Sequence, residues 1–107
     1  MAGATTEHRA KIKTYPWDIV DYLDSDEAIA GYLDEVLEEN DSALLMAALG
    51  DVARAKGMTQ VSRETGLGRE SLYKALSLQG NPEFATVQKV LRSLGLKLRV
   101  SVLSPDL

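Results

Sequence analysis

Apolar residues recur with a helical period through most of the chain and switch to a period of two near its end. Ile29, Leu33, Val36 and Leu37 fall at i, i+4, i+7 and i+8 behind Asp24-Ser25-Asp26-Glu27. That stretch suits a helix start, with a capping side chain and acids in the first turn. The spacing predicts a helix over 26–39. Asn40-Asp41 interrupts it and caps a second helix over 42–56, with Leu45, Leu49 and Val52 inward and Gly57 closing it. The alanines within it (Ala43, Ala47, Ala48, Ala53) predict close packing against a neighbour. Two short helices follow, from Thr59 to Thr65 and from Arg69 to Ser77, separated by Gly66-Leu67-Gly68. Asn81-Pro82-Glu83 joins a cap residue, a proline suited to the first helical position and an acid. It predicts a fifth helix lined by Phe84, Val87, Val90, Leu91 and Leu94 and ended by Gly95. Leu96, Leu98, Val100 and Val102 then alternate with Lys97, Arg99 and Ser101, the pattern of a half-buried strand.

The expected fold is mainly α, a five-helix bundle with one C-terminal strand. A lone strand exposes unpaired backbone groups. Its simplest partner is the same strand of a second copy, which makes Leu96, Leu98, Val100 and Val102 a dimer face. Residues 11–15 of the same chain, or the edge of a partner's sheet, are the competing uses. The chain divides into a disordered or extended arm (1–14), an acidic segment with one helix (15–41), a four-helix region (42–95) and the strand with its tail (96–107).

Length and composition narrow the chemistry. With 107 residues, 45% of them hydrophobic, the chain has room for one domain with a core. It contains no cysteine, which removes disulfides, thiolate metal sites and cysteine nucleophiles. Its single histidine, His8, lies in a polar stretch, so neither a Ser-His-Asp triad nor a histidine metal cage is expected. No cofactor and no catalysis are anticipated. The carboxylate pairs Asp34-Glu35 and Glu38-Glu39 sit side by side on a helix surface rather than converging as acid–base work requires. No apolar run approaches the length of a membrane span, and MAGATTEHRAKIK has no apolar signal core, so a cytoplasmic protein without a membrane partner is expected.

Charge is sharply segregated beneath a net of −4. Residues 18–51 contain eleven acids and no lysine or arginine, whereas residues 52–107 contain nine bases against four acids. Potentials act locally, so the two halves can serve two partners despite the acidic total. The basic half holds MTQVSRETGLGRESLYKALS (58–77). A turn at Gly66 reverses the chain between two short helices, and Val61, Thr65, Leu67, Leu72 and Leu76 face inward to lock them together. Arg69, Glu70, Ser71, Tyr73, Lys74 and Ser77 remain outward on the second helix. A rigid helix with exposed donors fits the major groove of DNA. Thr59 and Gln60, at the start of the preceding helix, lie where an amide and helix N–H groups hold a phosphate.

Residues from about Tyr15 to Leu103 resemble the addiction-module antidote proteins, the HigA-like antitoxins of bacterial type II toxin–antitoxin operons. The resemblance rests on PWD at 16–18, ALGDVARAKGMTQVSRETGLGRESLYKALS at 48–77 and GNPEFATVQKVLRSLGLKL at 80–98. It implies a phage-repressor-type (Xre) helix-turn-helix, a RelE/ParE-like toxin as partner and repression of the module's own operon. Gln60 matches the phosphate-gripping glutamine of repressor-type domains. Arg69 and Glu70 take the first outward positions of the recognition helix, with Tyr73 and Lys74 a turn later. Gly68 departs from the serine usual at the position that opens this helix, and glycine caps less well by a few tenths of a kcal/mol. Trp17, Ile19, Tyr22 and Leu23 are the candidate apolar anchors for the toxin, set in an acidic segment that complements an RNA-binding cationic surface. A homodimer on palindromic operator DNA is expected. The alternative is a stand-alone phage-type repressor, which the helix-turn-helix alone does not distinguish from an antitoxin.

Overall fold

The computed structural model of the chain describes residues 22–104, and five α-helices account for most of them. In chain order they are α1 (Asp26–Glu38), α2 (Ser42–Lys56), α3 (Met58–Thr65), α4 (Arg69–Ala75) and α5 (Phe84–Ser93). The reading of 1–14 as an arm, and the candidate strand partner at 11–15, lie outside the described residues.

The first two helices begin where their caps dictate. The Ser25 hydroxyl accepts the Ala28 N–H at 3.1 Å, and the Asp41 carboxylate accepts the Leu44 N–H at 3.1 Å. Each satisfies one of the orphan donors at a helix start. Asn40, between the two helices, is the one described non-glycine residue with positive φ, at 55°. Asparagine tolerates that region better than most residues, so the chain reverses there at low cost.

A single core joins all five helices. Ile29, Leu33 and Val36 from α1 meet Met46, Ala48, Leu49, Val52 and Ala53 from α2. Met58 and Val61, Leu72 and Leu76, and Val90, Leu91 and Leu94 complete it from the α3, α4 and α5 regions. The centre is α2, which touches α1, α3 and α4, while α5 rests on α3. The acidic α1 is therefore fastened to the same core that holds α3 and α4.

Gly50, on the buried face of α2, decides how closely α4 approaches. A Cβ built there lies 2.3 Å from the Leu76 carbonyl oxygen, far inside contact distance. Only a residue without a side chain lets the end of α4 sit against α2. Gly80 plays the same part for the following loop, where a Cβ falls 1.8 Å from the Ala75 carbonyl oxygen.

Three expectations need correction. The predicted strand at 96–103 is not formed: among the described residues there is no strand, and none of residues 97–104 makes a backbone hydrogen bond with another described residue. A strand exists only as one side of a ladder, and no described segment of the chain supplies the other side. The fifth helix starts at Phe84 with Glu83 as its cap residue, not at Asn81-Pro82. Proline forces Asn81 toward extended backbone, and the chain first passes through the Gly80 turn, held by the Gly80 N–H to Ser77 carbonyl bond at 2.9 Å. Phe84, expected inward, is 64% exposed. It lies on the same stripe as Val87 and Leu91, but one turn beyond the edge of the core.

Candidate nucleic-acid interface

Gly66 ends α3 in the left-handed region, at φ 78°, and a three-residue turn carries the chain into α4. Side chains pin that turn. The Thr65 hydroxyl donates to the Val61 carbonyl at 2.8 Å and accepts the Leu67 N–H at 3.2 Å, while the Ser62 hydroxyl donates to the Leu67 carbonyl. Thr65, read from the sequence as one of the buried packing residues, is half-buried and works mainly as the polar staple of the corner. Beneath, Val61 and Leu72 are almost fully buried and hold α3 and α4 at a fixed relation.

The outer surface of this corner collects the sequence-derived candidates. Thr59, Gln60, Arg69, Glu70, Ser71 and Lys74 are exposed, Tyr73 is 47% exposed and Ser77 is half-buried. Glu70, Ser71, Tyr73, Lys74 and Ser77 line one shallow depression along α4. No side chain caps α4 at Gly68. Instead the Arg69 guanidinium donates to the Thr59 hydroxyl at 3.1 Å, tying the first residue of α4 to the start of α3 across the corner. The two groups expected to face a phosphate and a base edge are thus neighbours. The Gln60 amide donates to Glu64 at 3.1 Å, one turn along α3, and must exchange that bond to reach a phosphate.

The acidic side has a different anatomy. On α1, Glu27, Asp34, Glu38 and the 47%-exposed Leu37 face outward. Of the four candidate anchors, Tyr22 is 38% exposed and Leu23, at 4%, is part of the core. Trp17 and Ile19 lie outside the described residues.

A family described as "Probable addiction module antidote protein" matches residues 13–102, a span that includes all five helices. The chain belongs to that family. A relative from Haemophilus influenzae strain Rd, described only as an uncharacterized protein, is 50% identical over 84 residues, covering 78% of this chain and 87% of its own. No solved structure matches. An antidote family implies a toxin as counterpart, so an antitoxin role follows from membership. No helix among the described residues of this antidote is long and apolar enough to cross a membrane.

One polar group in the antidote's core gave no sequence signal. Asp51, on α2, is buried; it accepts the Tyr32 hydroxyl from α1 at 3.2 Å and pairs with Arg54 one turn along. The partners lie 19 residues apart, so no local pattern joins them. Burial raises the Asp51 carboxyl above the ordinary carboxylate value, and Arg54 and the Tyr32 hydrogen bond only partly oppose it. Burial and the neighbouring carboxylate also push the Tyr32 hydroxyl upward, so it remains a donor. The folded state therefore holds the Asp51 proton more tightly than the unfolded chain does. The ionised form costs stability at neutral pH, and that cost is relieved as pH falls through the raised value toward the unfolded one. Asp51→Asn removes this term. In urea unfolding the wild type should gain stability relative to Asp51→Asn as pH falls from neutral into the carboxylate range. A difference between the two that does not change with pH contradicts the assignment.

Proposed function

We propose that the chain is the antitoxin of a type II toxin–antitoxin module that neutralises a RelE/ParE-like toxin and represses its own operon through a HigA-like, Xre-type helix-turn-helix made of α3 and α4. The observation that carries the DNA-binding part is the outer face of α4, polar throughout and held rigidly over Leu72 and Leu76. A helix about 10–12 Å across with its side chains matches the major groove, roughly 12 Å wide. In this reading Thr59, Gln60 and the N-terminal turn of α3 hold a phosphate and set the register. Arg69 reads a guanine edge with two parallel donors, and Glu70, Ser71, Tyr73, Lys74 and Ser77 contribute the remaining base and phosphate contacts. The acidic surface of α1 is the complement of a toxin whose cationic surface handles RNA. Tyr22 and Leu37 offer apolar area beside those carboxylates. The protein acts by binding alone, as a cytoplasmic repressor without cofactor or catalysis.

A binding titration on the DNA upstream of its own gene tests the reading. Arg69→Ala should weaken specific binding by about 1–3 kcal/mol and leave binding to unrelated DNA nearly unchanged. Gln60→Ala should weaken both alike, because a phosphate contact carries no sequence information. An unchanged specificity ratio for Arg69→Ala overturns the assignment of α4 as the reading helix.

A further inference from the structure

A second polar surface adjoins the α3–α4 corner, in the groove where α5 packs on α3. Glu64 and Thr65 line it from α3, and Gln88, Lys89 and Arg92 line it from α5. All but Thr65 are exposed. The three α5 side chains share one face of that helix, on the side away from Val90, Leu91 and Leu94 in the core. Lys89 and Arg92 are i, i+3 neighbours, with Cβ atoms about 5–6 Å apart, so both charges meet one small target. The ion pairs among the described residues, Arg54 with Asp51 and Lys56 with Asp26, use neither cation. From residue 84 to residue 105 the sequence holds Lys89, Arg92, Lys97 and Arg99 and no acid.

Charge and position decide what such a groove takes. Two cations held together on a packed helix set up a local potential for an anion, whatever the net charge of the chain. Gln88 adds neutral amide donors of the kind that hold phosphate oxygens. With its lining side chains exposed, the groove does not enclose a small molecule as a ligand pocket does. It suits one stretch of an extended polyanion. Gln60 lies one turn before Glu64 on the same face of α3, and its amide donates to that carboxylate at 3.1 Å. The start of α3, where a phosphate is expected, therefore runs directly into the groove. The first helix of a helix-turn-helix crosses the DNA backbone, so a strand passing Gln60 continues along this flank of α3.

We propose that the α3–α5 groove is a second phosphate site, in which Gln88, Lys89 and Arg92 hold the DNA backbone next to the phosphate at Gln60, outside the base pairs that α4 addresses. The proposal rests on the reading of α3 and α4 as a helix-turn-helix. Contacts of this kind add affinity and fix orientation but carry no sequence information. Glu64 opposes them. Its carboxylate lines the same groove and occupies the Gln60 amide, so the site grips phosphate less tightly than its donors alone would. That brake limits binding to unrelated DNA.

Fluorescence anisotropy of the full chain, on the operator duplex and on an unrelated duplex, tests the groove. Lys89→Ala with Arg92→Ala should weaken both by about tenfold at low salt and flatten the slope of log affinity against log salt by about 2. The ratio of the two affinities should not change. Glu64→Gln should strengthen both by about threefold, because a like charge leaves the groove. All three side chains are exposed and outside the core, so neither variant threatens folding. Uncharged methylphosphonates, placed singly along the operator, locate the contact. Those beside the phosphate that Gln60 holds should weaken the wild type and leave the double variant unaffected. An unchanged salt slope for the double variant, a loss confined to the operator, or a loss confined to toxin binding overturns the groove and leaves the helix-turn-helix standing. A wild type with no preference for the operator overturns the helix-turn-helix reading, and the groove with it.

Discussion

Gly50→Ala should destabilise the protein by about 1–3 kcal/mol, although alanine is the better helix former. The added carbon lies 2.3 Å from a backbone oxygen, that of Leu76, which cannot rotate aside as a side chain would. Either α2 or the end of α4 must shift, and overpacking a filled core costs on this scale. Alanine's helical advantage of up to about 1 kcal/mol recovers only part of it. Gly31 provides the control within the same chain. It lies exposed on α1 with nothing within 4 Å of a built Cβ, so Gly31→Ala should raise stability by about 0.5–1 kcal/mol. Urea midpoints of the two variants should move in opposite directions. Because Leu76 follows α4 directly, Gly50→Ala should also weaken operator binding more than its loss of stability explains. Movement of both midpoints in the same direction contradicts the account of α2–α4 packing.

Reversing two charges on the outer face of α1 should disable the antidote without unfolding it. Asp34 and Glu38 are both exposed, a turn apart, and outside the core formed by Ile29, Leu33 and Val36. Lysine at 38 also suits the negative end of the helix dipole, so the fold loses nothing there. If α1 meets a cationic toxin, Asp34→Lys with Glu38→Lys turns attraction into repulsion. Association with the toxin should slow by about tenfold or more, and its salt dependence should flatten. DNA binding through α4 should be preserved. Surface-plasmon kinetics against the purified toxin, at two salt concentrations, give the answer. Unchanged association rates would place the toxin contact elsewhere in the chain.

What the sequence made legible was whatever is encoded locally. Ser25 and Asp41 cap α1 and α2 because the capping bond joins residues three apart, and those helix boundaries are readable from the string. Gly66 ends α3 for the same reason, since its positive φ is a property of one residue. The exposed residues of the α3–α4 corner were also readable, as the polar complement of Val61, Leu72 and Leu76. What escaped depends on approach between distant segments. Gly50 and Gly80 look like ordinary glycines until Leu76 and Ala75 are placed beside them. Asp51 reads as one more acid in an acidic run, yet Tyr32 and burial set it apart. Phe84 fits the apolar stripe of α5 but lies past the end of the core it would have joined. The alternation at 96–102 was visible, but a ladder needs a second strand, and none of the described residues supplies it.

The central claim is that two separate faces of one small fold carry two functions, with α4 for the operator and the acidic side for the toxin. Growth rescue measures this most directly. Arg69→Ala combined with Lys74→Ala is expressed with the toxin from the neighbouring reading frame, and the same variant is titrated on the operator. The account predicts full rescue of growth together with loss of specific operator binding. Rescue lost along with DNA binding, or both retained, would contradict it.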